Sequence, residues 1–89
     1  MLSKYHIETI VRVASRYSIS SLFLFGSAIR SAADFNDIDI GVKGLPQGDY
    51  FRFYADLIFA LPKPVDLIDL STDTIFNRLV EREGVRIYG

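Results

Sequence analysis

Cysteine is absent from this chain, which excludes both a disulfide framework and a thiolate metal site. Excess positive charge is missing too. Ten Lys and Arg stand against eleven Asp and Glu, for a net charge of −1, and this is not the basic footprint of a general nucleic-acid binder. No apolar run reaches the roughly 18 residues that a membrane span requires. The opening stretch MLSKYHIETIVRVASRY carries charges among its apolar positions and does not read as a signal peptide. Internal repeats, linkers and low-complexity segments are not found. These exclusions leave one small soluble domain over residues 1–89, expected in the reducing cytoplasm. Hydrophobic residues make up 49 % of the chain, enough for a core but with a thin stability margin at this size.

Ile7, Ile10, Val11, Val13 and Ala14 recur at three- and four-residue steps. They predict an amphipathic helix over about residues 3–17, with Ser3 as its N-cap. SSLFLF, from Ser20 to Phe25, is short and apolar, stops at Gly26, and reads as a buried strand. Ser27 to Ala33 has room for only a turn or two of helix. Asp37 to Lys43 alternates strictly, with Ile38, Ile40 and Val42 on one face and Asp37, Asp39 and Gly41 on the other. Gly44 to Gly48, with Pro46, is a loop. Helical spacing returns from Tyr50 to Leu61, and Pro62 and Pro64 end it. Val65 to Leu70 is apolar on both sides and so predicts an interior strand. Ser71 or Thr72 then caps a helix running to Glu83, terminated by Gly84. Val85 to Tyr88 adds a short edge strand. The order implies an α/β domain: a three- or four-stranded sheet with helices packed on it.

Chemistry concentrates in FGSAIRSAADFNDIDIGV, Phe25 to Val42. Gly26-Ser27 lies at a strand-to-helix junction, where bare backbone N–H groups can hold phosphate. Gly26 admits close backbone approach, Ser27 adds a hydroxyl donor, and Arg30 is within reach as a bidentate phosphate ligand or else a solvated helix residue. Asp37 and Asp39, two apart in a strand, project from one face. Such a pair is either a polar outer face or a site for a divalent cation, and Mg²⁺ is the usual companion of phosphate. Asp is a poor strand former and like charges repel across a face, which favours the cation. Asp66 and Asp69 are the candidates for a third carboxylate. Three residues apart, they lie on opposite faces, so at most one joins the site. Asp66 is favoured because a carboxylate inside an apolar run needs a partner or a metal, whereas Asp69 at the strand's end suits a capping role. His6, the single histidine, reads as a surface residue away from the motif. Phe51, Phe53, Tyr54 and Phe59 read as core with some exposure, Asp34 as a turn residue, and Glu81, Arg82 and Glu83 as a solvated helix end.

The pattern Gly26-Ser27-x-x-Arg30, then Asp37-x-Asp39, then Asp66 on a later strand resembles the nucleotidyltransferase superfamily of DNA polymerase β, in particular its minimal nucleotidyltransferase (MNT) members. The resemblance covers almost the whole chain. It implies a mixed sheet flanked by helices, two Mg²⁺ ions held by Asp37, Asp39 and Asp66, and a bound nucleoside triphosphate. It also implies a phosphate-binding turn at Gly26 and Ser27, with Arg30 as the basic residue after it. Ser31 stands where family members often have Gly, and Asn36 where they often have Ser. MNT proteins often accompany a helical HEPN partner, in some pairs as antitoxin to toxin, and transfer nucleotide to a tyrosine of that partner. The expected activity is therefore Mg²⁺-dependent nucleotidyl transfer from an NTP such as ATP to a hydroxyl acceptor. The alternative is a catalytically weak domain of the same fold that acts by binding its partner. Many aromatics on a small chain point to association, with that partner or as a homodimer.

Overall fold

The computed structural model describes residues 1–29 and 37–89, without the side chain of Ser27. Helix α1 (Lys4–Ala14) starts where Ser3 caps it, the Ser3 hydroxyl accepting from the His6 N–H at 3.3 Å. It is shorter than its apolar spacing predicts. Arg16 and Tyr17 turn back on Val13 and Ala14 through tight backbone bonds, and the Tyr17 hydroxyl donates to the Asp56 carboxylate. Strand β1 (Ser21–Phe25) follows and runs into a 3₁₀ turn at Gly26–Ile29. Arg30, Ser31, Asp34 and Asn36, and the remainder of the short helix expected to Ala33, lie outside the described residues.

Strand β2 (Ile38–Lys43) takes up after them, and a 3₁₀ turn at Gln47–Asp49 leads into α2 (Tyr50–Ala60). Pro62 and Pro64 separate α2 from β3 (Val65–Asp69). Helix α3 (Ile75–Glu83) and strand β4 (Val85–Tyr88) complete the order. The cap of α3 is Thr74, not Ser71 or Thr72, its hydroxyl accepting from the Asn77 N–H at 3.0 Å. The residues before it are engaged otherwise: Asp69 Oδ1 accepts from Ser71 N–H, and the Asn77 amide donates to the Thr72 carbonyl.

The four strands form one mixed sheet in the order β3-β2-β1-β4. β1 is antiparallel to both β2 and β4, and β2 is parallel to β3. β3 is thus an edge strand, which corrects its expected interior position. It is apolar on both sides because helices cover both faces of the sheet. Val65 and Leu67 join Ile38, Ile40, Val42, Leu22 and Leu24 in a core completed by Ile10, Val13 and Ala14 of α1 and Phe53 and Leu57 of α2. Ile68 packs on the opposite face with Phe23, Leu70 and Val80 of α3. Gly41 lets α3 approach that face: a Cβ there would lie 2.6 Å from Leu70 Cδ1.

Two side-chain expectations also change. Phe53 is fully buried and Tyr54 packs on the core, but Phe51 and Phe59 are 81 % and 90 % exposed. Glu81 is not simply solvated, since it pairs with Lys43 at 3.1 Å; at that exposure the pair contributes about 0–1 kcal/mol. Among the described residues no helix is long and apolar enough to cross a membrane.

The Tyr17–Asp56 bond ties the turn after α1 to α2 and has a pH signature. Burial, then the Asp56 hydrogen bond, pushes the Tyr17 hydroxyl from 10.0 up to about 12. Between those values the folded chain keeps this proton while the unfolded chain releases it, so stability falls as pH rises. Denaturant unfolding followed from pH 10 to 12 should show a steeper loss in the wild-type chain than in Tyr17→Phe. Equal slopes would mean that the tyrosine titrates alike in both states.

Candidate active site

The strand registers assemble the acidic residues. Phe25 of β1 lies opposite Asp39 of β2, and Asp39 lies opposite Asp66 of β3. Residues paired in this way share a face, so Phe25, Asp39 and Asp66 form one row across three strands. That face is the one covered by α3 further along, since Gly41 and Ile68 lie two residues beyond Asp39 and Asp66 on it. Neighbouring strands stand about 4.8 Å apart, which puts two carboxylates side by side. Asp39 is half-buried and Asp66 is exposed.

The exposure of Asp66 corrects one argument and leaves the other standing. Desolvation does not single Asp66 out, because an edge strand leaves its side chain in water. Strand parity does separate the two candidates. Asp69 falls on the opposite face, at the strand's end, where its carboxylate accepts the Ser71 N–H at 2.9 Å and so shapes the following turn. Asp37 precedes the first residue of β2, in an exposed bend, one residue outside the strand that was expected to carry it. Among the described residues no group of three acidic, histidine or cysteine side chains is arranged to hold a metal ion. The structure brings Asp39 and Asp66 together and sets Asp37 beside them in sequence, at the same end of β2. The donor set is carboxylate oxygen throughout, which fits a hard cation such as Mg²⁺ better than a soft one.

Gly26 connects this row to the turn after β1. Its φ of +60° lies in the left-handed region, and a Cβ at this position would collide with the Asp39 carboxylate. The turn's backbone therefore passes directly beside the carboxylate, an approach that only glycine permits. Ser27 follows in the same 3₁₀ turn; its side chain and Arg30 lie outside the described residues. His6 stays on α1, its ring nitrogen 2.8 Å from the Ser3 hydroxyl.

Sequence reasoning missed the aromatic end of the row. The Phe25 ring meets Phe76 of α3 edge-on, at 6.3 Å between centroids, and Phe76 remains 54 % exposed. No spacing rule predicts that contact, which depends on how α3 crosses the sheet. The sequence reads Tyr50 as the start of a helix and Tyr54 as core with some exposure, with no partner for either hydroxyl. Their hydroxyls donate to the Leu67 and Val65 carbonyls, each at 2.7 Å. Burial, reinforced by Tyr54 and Asp69, raises the pKa of Tyr50 and keeps it a donor.

With this geometry in place, comparison with known proteins assigns the class. Residues 8–89 match the family model described as polymerase beta, nucleotidyltransferase. The chain belongs to that family of nucleotidyltransferases, and the mixed sheet of four strands with three helices among the described residues is the fold of a minimal member. Among solved structures it is similar to a chain of the crystal structure of the toxin-antitoxin MntA-HepT. That chain is 25 % identical, with a TM-score of 0.75 over 98 % of this chain and 73 % of its own length. No curated protein sequence matches.

The Gly26 turn yields a direct test. Gly26→Ala should cost about 1–2 kcal/mol from the left-handed backbone alone, and should also push the Asp39 carboxylate out of the row. Unfolding curves give the first effect, and a crystal structure of the variant gives the second. An unshifted Asp39 would show that the turn and the carboxylate are not in contact.

Proposed function

We propose that this domain is an active, Mg²⁺-dependent nucleotidyltransferase that moves a nucleoside monophosphate from an NTP, ATP foremost, to a hydroxyl acceptor. The observation that carries the reading is the in-register pair Asp39 and Asp66 beside the backbone turn at Gly26. In this reading Asp37, Asp39 and Asp66 hold the metal, and Gly26, Ser27 and Arg30 hold the phosphates. Bound Mg²⁺ supplies charge neutralisation for the triphosphate and lowers the pKa of the acceptor hydroxyl. The backbone N–H groups of the turn orient the triphosphate. The acceptor oxygen forms a bond to the α-phosphorus, the bond from that phosphorus to the bridging oxygen breaks, and pyrophosphate departs. Asp66, exposed at the sheet edge, takes the proton of the acceptor hydroxyl.

For the acceptor we propose a tyrosine of a helical HEPN-type toxin, which would make this chain its antitoxin in the cytoplasm. Two helix faces support a protein partner. Phe51, Ile58 and Phe59 on α2, and Ile75, Phe76 and Leu79 on α3, are each at least 42 % exposed, and exposed apolar clusters of this kind mark interaction sites. The same faces favour the second reading, a partner-binding module with weak or no catalysis, and they are compatible with a homodimer.

ATP labelled at the α-phosphate, Mg²⁺ and a HEPN-type protein distinguish the two readings. The enzyme transfers label and releases pyrophosphate; the module binds the protein without doing so. Asp37→Asn or Asp39→Asn should abolish transfer while the chain still folds, as far-UV circular dichroism would show. Asp66→Ala should weaken Mg²⁺-ATP binding or turnover by orders of magnitude. Asp69→Ala should cost only about 1 kcal/mol of stability or less. If the ranking of Asp66 and Asp69 comes out reversed, the assignment of the third ligand is wrong.

A further inference from the structure

The outer edge of β3 is closed by side chains. The Ile38 N–H bonds the Pro64 carbonyl at 2.8 Å, and the Leu70 N–H bonds the Val42 carbonyl at 2.7 Å. In a parallel pair, alternate residues turn both backbone groups toward the neighbour, so the even-numbered residues 64 to 70 face β2. Val65, Leu67 and Asp69 then face away from the sheet. Each of their carbonyls has a side-chain donor: Tyr54 for Val65, Tyr50 for Leu67, and the Asn77 amide for Asp69 at 3.2 Å. Asp66 lies between the two carbonyls that the tyrosines hold.

We propose that Tyr50 and Tyr54 are positioning residues for the candidate site: their hydroxyls, bonded to the carbonyls on either side of Asp66, hold its carboxylate in register with Asp39. This rests on the reading of Asp66 as a metal ligand. An exposed carbonyl at a sheet edge is served well enough by water, so satisfaction alone does not call for two tyrosines. Four residues apart on α2, the pair shares one helix face, and its rings pack edge-on with centroids 6.1 Å apart. The two hydroxyls are thereby set as a unit, at the spacing of alternate carbonyls. β3 is gripped by the β2 ladder on one side and by this pair on the other. Without the second grip an edge strand frays and its side chains wander. Asp66 stands in register with a second carboxylate on the outermost strand of the sheet.

The test compares Tyr50→Phe/Tyr54→Phe with Tyr17→Phe, which loses a tyrosine hydroxyl bond between the turn after α1 and α2 instead. Amide hydrogen exchange at Asp66 and Ile68 should quicken about tenfold in the double variant, and in Tyr17→Phe by no more than its global stability change accounts for. The Mg²⁺ concentration giving half-maximal ATP binding should rise about three- to tenfold in the double variant and stay unchanged in Tyr17→Phe. Unaltered local exchange, or faster exchange with no change in Mg²⁺ requirement, overturns the proposal. If the double variant does not fold, the two single variants carry the same comparison. If the wild-type chain does not bind ATP in Mg²⁺, the nucleotidyl-transfer reading falls by itself, and the exchange data still decide whether the hydroxyls hold Asp66.

Discussion

The parallel ladder between β2 and β3 is the constraint on which the rest depends. Its register is pinned at both ends, by the Pro64 carbonyl on Ile38 and the Val42 carbonyl on Leu70. A slip of one residue would turn every β3 side chain to the other face. Leu67 would leave the larger core, and Asp66 would turn away from Asp39 into the apolar layer under α2. Burial of Val65 and Leu67 therefore decides which face of the sheet the Asp66 carboxylate takes. A parallel pair also demands a crossover, and α2 with its Pro62-Lys63-Pro64 exit supplies it. Pro64 suits that place: it stands just before an edge strand and contributes a carbonyl where no N–H is needed.

The two faces of the sheet carry unequal layers. α1 and α2 bury the large apolar set on one side, whereas α3 covers the other through a smaller cluster of Phe23, Leu70 and Val80, with Phe25 and Ile68 packed against it. That thinner layer needs Gly41 to come close, and it sits beyond the two carboxylates, reaching the row where Phe76 meets Phe25. The row is left at the end where β1 emerges into its turn, and there the backbone at Gly26 passes close beside the Asp39 carboxylate. Two glycines on one sheet face thus serve opposite ends, one admitting a helix and one admitting a turn.

Much of this was legible in the sequence. The period-two alternation from Ile38 to Val42 needs one buried face and gives it. Parity alone separates Asp66 from Asp69, whatever their burial. The position of β3 at the edge was not legible, because apolar residues on both sides of a strand report helices above and below it, not strands to left and right. The start of α3 was ambiguous for a local reason: Ser71, Thr72, Asp73 and Thr74 are all capping types in succession. Thr74 is the cap because Asn77 reaches back to the Thr72 and Asp69 carbonyls and fixes the turn ahead of it. In α2 the aromatics form two stripes, and helical spacing could not tell that Phe53 is core while Phe51 and Phe59 face outward.

The placement of the acidic pair follows from electrostatics as much as from topology. Two carboxylates in register repel by about 1 kcal/mol in water, and by several times that in a medium of lower dielectric. A pair in the middle of a covered sheet would add a desolvation penalty of several kcal/mol per ion, too much for a domain with so small a core. An edge strand leaves Asp66 in water and Asp39 half-covered, so the chain bears only the milder repulsion. The edge creates a second problem, since unpaired backbone groups there invite another strand and let the carboxylate drift from its neighbour. Hydroxyls from Tyr50 and Tyr54 answer both at once, closing the edge without burying the charge. A site of like charges is thus kept affordable by exposure and kept ordered by the helix that crosses behind it.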